Sequence, residues 1–313
     1  MYDVTCVGII TADVLVRPVE KLPEKGLLGA VDRIELQAGG CAANAAIALA
    51  RLGIKTGLIA KTGTDSFSRF VLSEISGNKV DVSGIFQDQH VQTSASVVPI
   101  SRDGERTVLH CFGANAEFTY NDINYELIKA SKILFIAGTF LLPAFDGAGA
   151  TCLLKKASRD KILCCLDTAW DPSGKWMDTL GDCLPYLDWF MPSYDEAVML
   201  SGEKSPEMIA QTFINRGVKN VIIKMGADGC YVKPNEGSGM MVPAFTGIPV
   251  VDTSGAGDSF CAGFLAGLTR GRSVLESINF GHAVGAHCVM KMGTTTGIPS
   301  FEKIEEFIRG QKV

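Results

Sequence analysis

The 313-residue sequence holds ten cysteines but no Cys-x-x-Cys pair. Cys164 and Cys165 are adjacent, and most of the others sit in apolar runs. That spacing speaks against a zinc site or a disulfide frame and for reduced core thiols of a cytosolic protein. Long apolar runs are missing as well. None reaches the roughly 18 residues that a membrane-spanning helix needs. The start, Met1-Tyr2-Asp3-Val4, has neither the basic stretch nor the cleavage site of a secretion signal. The expectation is a cytoplasmic protein with no membrane partner. Neither sign of charge dominates: 29 basic and 34 acidic residues leave a formal net charge of −5, without long blocks. This argues against nucleic acid as the main partner. No internal repeat, low-complexity tract or interdomain linker is visible. What remains is a globular composition, 47% apolar, with ample core for one large α/β domain or two small ones.

The chain is organised around Val250 to Leu268. Val250 and Val251 end a β-branched run, and Gly255, Ala256 and Gly257 form a turn of small residues. Beyond Asp258, the apolar residues Phe260, Cys261, Phe264, Leu265 and Leu268 recur at helical spacing and predict a buried helix. A small-residue turn opening a helix leaves backbone N–H groups unpaired and pointing outward. With the helix dipole behind them they suit a phosphate. Asp258 is open to two readings. It is a normal helix-start carboxylate, or a general base for a hydroxyl attacking a phosphoryl group.

Earlier in the chain, Val4 to Ile10 reads as a buried strand followed by Asp13. An acid there is a turn or cap residue, or lies on the ligand side of an α/β sheet. Gly39-Gly40 permits close approach of backbone to a ligand, and an alanine-rich helix follows, closed by Gly53. Asn44, in the first turns of that helix, needs partners: a neighbouring backbone or substrate hydroxyls. Lys55 to Lys61 reads as a strand, with Gly63-Thr64-Asp65 opening a helix. Residues 14 to 37 show no helical period and read as short strands and turns. Thr93 to Ile100 and Arg106 to Cys111 flank an Asp103-Gly104 turn and read as a hairpin. Arg106 and Asn115 are expected to be a solvated arginine and a turn asparagine. From residue 120 onward, short apolar strands at 133–137, 162–166, 187–191 and 221–224 alternate with helical segments. That pattern predicts a parallel, doubly wound sheet. Asp167 ends one of these strands. Asn279 to Met290 reads as a buried helix, with His282 and His287 as satisfied core residues.

The stretch Asp252-Thr253-Ser254-Gly255-Ala256-Gly257-Asp258-Ser259-Phe260 resembles the C-terminal signature of the ribokinase-like (PfkB) carbohydrate kinases. Gln37 to Gly53 resembles their N-terminal Gly-Gly signature, with Cys41 and Ala42 where ribokinase itself has lysine and glycine. The resemblance covers nearly the whole chain. It implies one ribokinase-like domain over 1–313, an α/β doubly wound, mostly parallel sheet, with a small four-stranded β lid from about 12–37 and 92–112 that can pair two subunits. It implies in-line transfer of the γ-phosphoryl of ATP to a primary hydroxyl of a monosaccharide. Asp258 would be the base, and the N–H groups of Gly255, Ala256 and Gly257 would stabilise the transferring phosphate. Asp13, Gly39, Gly40 and Asn44 would hold the sugar, and Asp65 would help shape its pocket. Lys224, Gly226 and Gly229 would border the nucleotide, and His282 would lie near the adenine. Met191 to Glu196 resembles the family's Asn-x-x-Glu motif, with Ser193 in place of the asparagine. Glu196 would help place Mg2+ through water. Asp252, with the turn at Lys291-Met292-Gly293, would help bind a monovalent cation such as K+. A nucleoside kinase on the same fold, or a sugar-binding protein without catalysis, stays open as an alternative.

Overall fold

The computed structural model describes residues 1–102 and 105–311. The chain opens with β1 (Tyr2–Gly8), β2 (Thr11–Arg17) and β3 (Arg33–Gly39), then α1 (Cys41–Arg51), β4 (Thr56–Thr62), α2 (Ser66–Gly77) and β5 (Asp81–Gln87). Next come β6 (Ala95–Pro99), β7 (Leu109–Cys111), α3 (Tyr125–Lys129), β8 (Ser131–Thr139), α4 (Ala148–Arg159) and β9 (Leu163–Thr168). They are followed by α5 (Met177–Leu180), β10 (Trp189–Phe190), α6 (Tyr194–Ser201), α7 (Pro206–Asn215), β11 (Asn220–Lys224), β12 (Cys230–Pro234) and β13 (Met240–Val242). Three helices close the chain: α8 (Ala256–Thr269), α9 (Val274–Val289) and α10 (Phe301–Gly310).

Among the described residues the strands form two sheets. The large one has nine strands in the order β13-β12-β11-β10-β9-β8-β1-β4-β5. It is parallel from β11 to β5, while β12 and β13 are antiparallel. Its residues alternate between two cores, as the two-residue period of a strand requires. Val4, Cys6, Leu58, Ala60, Ile133 and Phe135 face α1, α8 and α9, whereas Val7, Ile59, Leu134 and Ile136 face α4 and α7. Helix α8 is apolar almost all round because it is covered by the sheet and by neighbouring helices. The order of connections reverses at β1, whose neighbours are β4 on one side and β8 on the other. The crevice beyond the carboxyl ends of these strands is where an open α/β sheet accepts ligands.

The chain leaves β1 directly into a second sheet, ordered β3-β2-β6-β7. This is the expected lid, and it begins at Thr11. Asp13 is therefore neither a turn nor a cap residue but lies on β2, paired across the lid with Gln37 and Ser96. Cross-strand partners share a face, so Asp13, Gln37, Ser96 and His110 form one face of the lid. The opposite face carries Leu36, Val97 and Leu109 in register with Val14, and Ile34 opposite Val16. Ile34 is 65% exposed and Leu109 58% exposed. The Asp103-Gly104 turn lies outside the described residues. Val250 and Val251 are not part of a strand and are exposed. No helix among the described residues is long and apolar enough to cross a membrane. All ten cysteines are free thiols, seven of them buried.

Candidate active site

Gly255 caps α8 with φ 73°, the left-handed conformation that costs glycine least. A Cβ there would stand 2.6 Å from the Thr294 carbonyl oxygen, so the turn is closed tightly onto the loop after α9. The Ala256 N–H is turned back to the Thr253 carbonyl at 3.3 Å. The outward donors are thus the N–H groups of Gly255, Gly257 and Asp258, which have no partner among the described residues. The Ala256 N–H, expected to point outward, is engaged within the turn, whereas that of Asp258 is not.

Asp258 projects from the third residue of α8. Asn44 Nδ2 donates to its Oδ2 at 2.8 Å, and Thr294 Oγ1 donates to Asn44 Oδ1 at 2.8 Å. Asn44 is thus held by side chains, not by a neighbouring backbone, and one of its two amide N–H groups positions Asp258. The N-terminus of α1 brings it there: Gly40, with φ 95°, starts the helix so close to β1 that a Cβ would meet the Ile9 carbonyl oxygen at 2.5 Å. A Cβ at Gly39 would overlap Asp13 Oδ2, so the Gly-Gly pair brings Asp13 against bare backbone. Burial pushes the Asp258 carboxyl up to about 7. Asn44 opposes that rise, Asp167 adds to it, and Lys224 and the Cys41 thiol oppose it. Burial also raises Asp13, against the nearby hydroxyls of Ser96 and Thr11 and the imidazole of His110. Ser96 Oγ lies 3.1 Å from His110 Nδ1.

Beneath α8, Lys224 ends β11 and Asp167 nearly ends β9, with Nζ 2.5 Å from Oδ2. Burial raises the Asp167 carboxyl and would draw the Lys224 ammonium down, but the contact with Asp167 holds Lys224 above its ordinary range. Cys261 Sγ donates to Asp167 Oδ2 at 3.5 Å. A Cβ added to Gly257 would lie 3.3 Å from Lys224 Nζ, so the ammonium packs directly behind the anion turn. The sequence did not reveal this pair, because its two members are 57 residues apart; both stand at strand ends, and that was the available signal.

The remaining candidates lie around this centre. Glu196 spends Oε2 on the Ser193 N–H at 3.0 Å and on Thr168 Oγ1 at 2.8 Å. Asp252 accepts from the N–H groups of Ser254 and Gly293, both at 2.9 Å. Arg106 is exposed, as expected, but also anchored: its guanidinium bonds Ser254 Oγ and stands 3.6 Å from Asp252 Oδ1, so the lid reaches the anion turn. Asn115 is not a simple turn residue either. Its buried amide pairs with both backbone groups of Ile10 at the β1–β2 junction. Asp65 caps α2 through the Ser68 N–H and also accepts from the Thr93 N–H ahead of β6. Gly226 faces open space, whereas Gly229 closes the β11–β12 hairpin against Val242. His282 is buried, and neither ring nitrogen makes a well-formed hydrogen bond among the described residues, although the Pro243 carbonyl stands near the ring. Burial holds its pKa down at about 4. Nor is His287 satisfied, since its Nε2 is also unpaired.

The protein-family pattern described as pfkB family carbohydrate kinase matches residues 1–300. The chain is 29% identical over 307 residues to a 2-dehydro-3-deoxygluconokinase of Bacillus subtilis, covering 92% of both chains. It is 27% identical over 312 residues to a ribokinase of Haemophilus influenzae, covering 97% of both. The structure of an Arabidopsis thaliana ribokinase complexed with ribose and ATP superposes with a TM-score of 0.85, over 98% of this chain and 99% of that one, at 23% identity. With both signatures, the lid and the switch-point site in one fold, the chain belongs to the pfkB family of carbohydrate kinases.

Proposed function

We propose that this protein is an ATP-dependent sugar kinase that moves the γ-phosphoryl group of ATP to a primary hydroxyl of a monosaccharide. One observation carries the reading: a carboxylate with a pKa near neutrality stands beside outward backbone N–H groups at the start of a buried helix. Such a group takes a proton at neutral pH, and the donors meet the charge that develops on the transferring phosphoryl group. Asp258 orients and deprotonates the acceptor hydroxyl. Gly255 and Gly257 receive the phosphoryl oxygens. Asp13, Gly39, Gly40 and Asn44 border the sugar, and Asn44 also positions Asp258. Gly226 and His282 border the nucleotide. Closure of the lid excludes water, which competes with the sugar as acceptor.

Among the described residues no three His, Cys, Asp or Glu side chains are placed to hold a metal ion directly. That fits Mg2+, which keeps several waters and binds chiefly to substrate phosphates. Glu196 would hold it through water, and when bound it neutralises phosphate charge. Asp252 and the backbone at Gly293 would serve a monovalent cation such as K+. The exposed apolar face of the lid supports a homodimer. Leu109→Glu would then leave a monomer by sedimentation, whereas an unchanged mass would exclude that face. ATP as substrate favours a cytoplasmic location.

The test is ADP release with MgATP against a panel of sugars, sugar acids and nucleosides, with and without K+. Turnover with a sugar supports the reading. Turnover confined to nucleosides replaces it with the nucleoside kinase, and thermal stabilisation by a sugar without turnover replaces it with a binding protein.

A further inference from the structure

Three carboxylates crowd the floor of the site. Asp258 hangs from α8, Asp167 from β9, and Glu196 from the first turn of α6, close enough to act on the Lys224–Asp167 pair. A single ammonium stands among them. A buried ion pair of this kind is a poor stability device, because apolar residues of equal size do as well or better. The position of Lys224 suggests what it does instead. Nζ is 2.5 Å from Asp167 Oδ2 and 3.8 Å from Cys261 Sγ, and it abuts the bare backbone of Gly257. Any side chain at residue 257 would crowd it, and a shorter side chain at 224 would not reach the turn.

We propose that Lys224, locked by Asp167, is a positioning residue for phosphoryl transfer: it places a fixed positive charge behind the Gly257 turn and shields Asp258 from Asp167. This rests on the reading of Asp258 as the base. The other groups facing Asp258 are Asn44 and the Cys41 thiol from α1, Cys261 from α8 itself and Cys288 from α9. Burial raises all three thiols, so they are neutral. Lys224 and Asp167 are therefore the charges that act on the base, and with opposite sign.

The test is the pH dependence of kcat/KM, which reports groups of the free enzyme. It compares wild type, Lys224→Met, Asp167→Asn and the double variant Lys224→Met/Asp167→Asn. Wild type should lose activity on the acid side with a midpoint near 7. Lys224→Met should move that midpoint up by about one pH unit or more. It should then be about fivefold or more less active than wild type at pH 7 and recover part of the loss at pH 9. Asp167→Asn should move the midpoint down, and the double variant should return toward wild type. Equal loss at every pH, with the midpoint unmoved in both single variants, would mark a structural pair and overturn the proposal. If Lys224→Met does not fold, Asp167→Asn decides alone: a lowered midpoint supports the proposal and an unmoved one overturns it. Failure of the underlying reading looks different, with no acid limb in wild type and an active Asp258→Asn variant.

Discussion

Replacing Asp258 with asparagine should stabilise the protein while removing its turnover, and the gain should depend on pH. The folded protein keeps the Asp258 proton up to about pH 7, whereas the ordinary carboxylate value is 3.8. Between these values the folded state binds more protons than the unfolded state, so this carboxyl makes stability fall as pH rises. Below pH 4 it costs nothing. Above pH 7 the full penalty applies, at about 1.4 kcal/mol per pH unit, or about 4 kcal/mol in all. The side chain is densely surrounded yet only half-buried. Water screening there cuts the figure to about 2 kcal/mol. Asparagine keeps the shape and an acceptor for Asn44 Nδ2 but carries no charge. Urea denaturation at pH 5 and pH 8.5 measures the difference. The variant should gain about 2 kcal/mol over wild type at pH 8.5 and about 40% of that at pH 5. An equal gain at both pH values, or none at pH 8.5, would refute the argument that burial raises this carboxyl.

Three further outcomes follow from the geometry. Gly255→Ala forces a side chain into a left-handed turn against the Thr294 carbonyl, so it should cost about 1–3 kcal/mol in thermal denaturation and most of kcat. His282→Leu removes a buried imidazole with two unpaired nitrogens; stability should hold or rise by about 1–2 kcal/mol, while KM for ATP rises in steady-state kinetics. Arg106 is half exposed, so Arg106→Ala should change stability by less than about 0.5 kcal/mol. It should nevertheless lower kcat/KM at least tenfold, because the lid loses its contact with the anion turn.

The features legible in the sequence were those that depend on local pattern. The small-residue turn before Asp258, the Gly-Gly entry to α1 and the apolar strands of the central sheet all declare themselves within a few residues. The edge strand β5 did not, because Asp81, Ser83 and Gln87 interrupt its apolar pattern and four of its seven residues are exposed. Val250 and Val251, which end a β-branched run, lie in an exposed connection. Contacts over long separations were the least legible. Arg106 reaches Ser254 across 148 residues, and Asn44 reaches Asp258 across 214. Nothing in the neighbourhood of either residue announces its partner. His282 was read as a satisfied core residue because burial and satisfaction usually go together; the unpaired nitrogens are visible only in three dimensions.

The central claim is that Asp258 is the group that takes the proton from the acceptor. It is tested most directly by measuring, on one Asp258→Asn preparation, sugar binding by calorimetry and ADP release at saturating sugar and MgATP. The account predicts sugar binding within a few-fold of wild type and a fall in kcat of about 10²–10⁴. Turnover close to wild type, with binding intact, would contradict it.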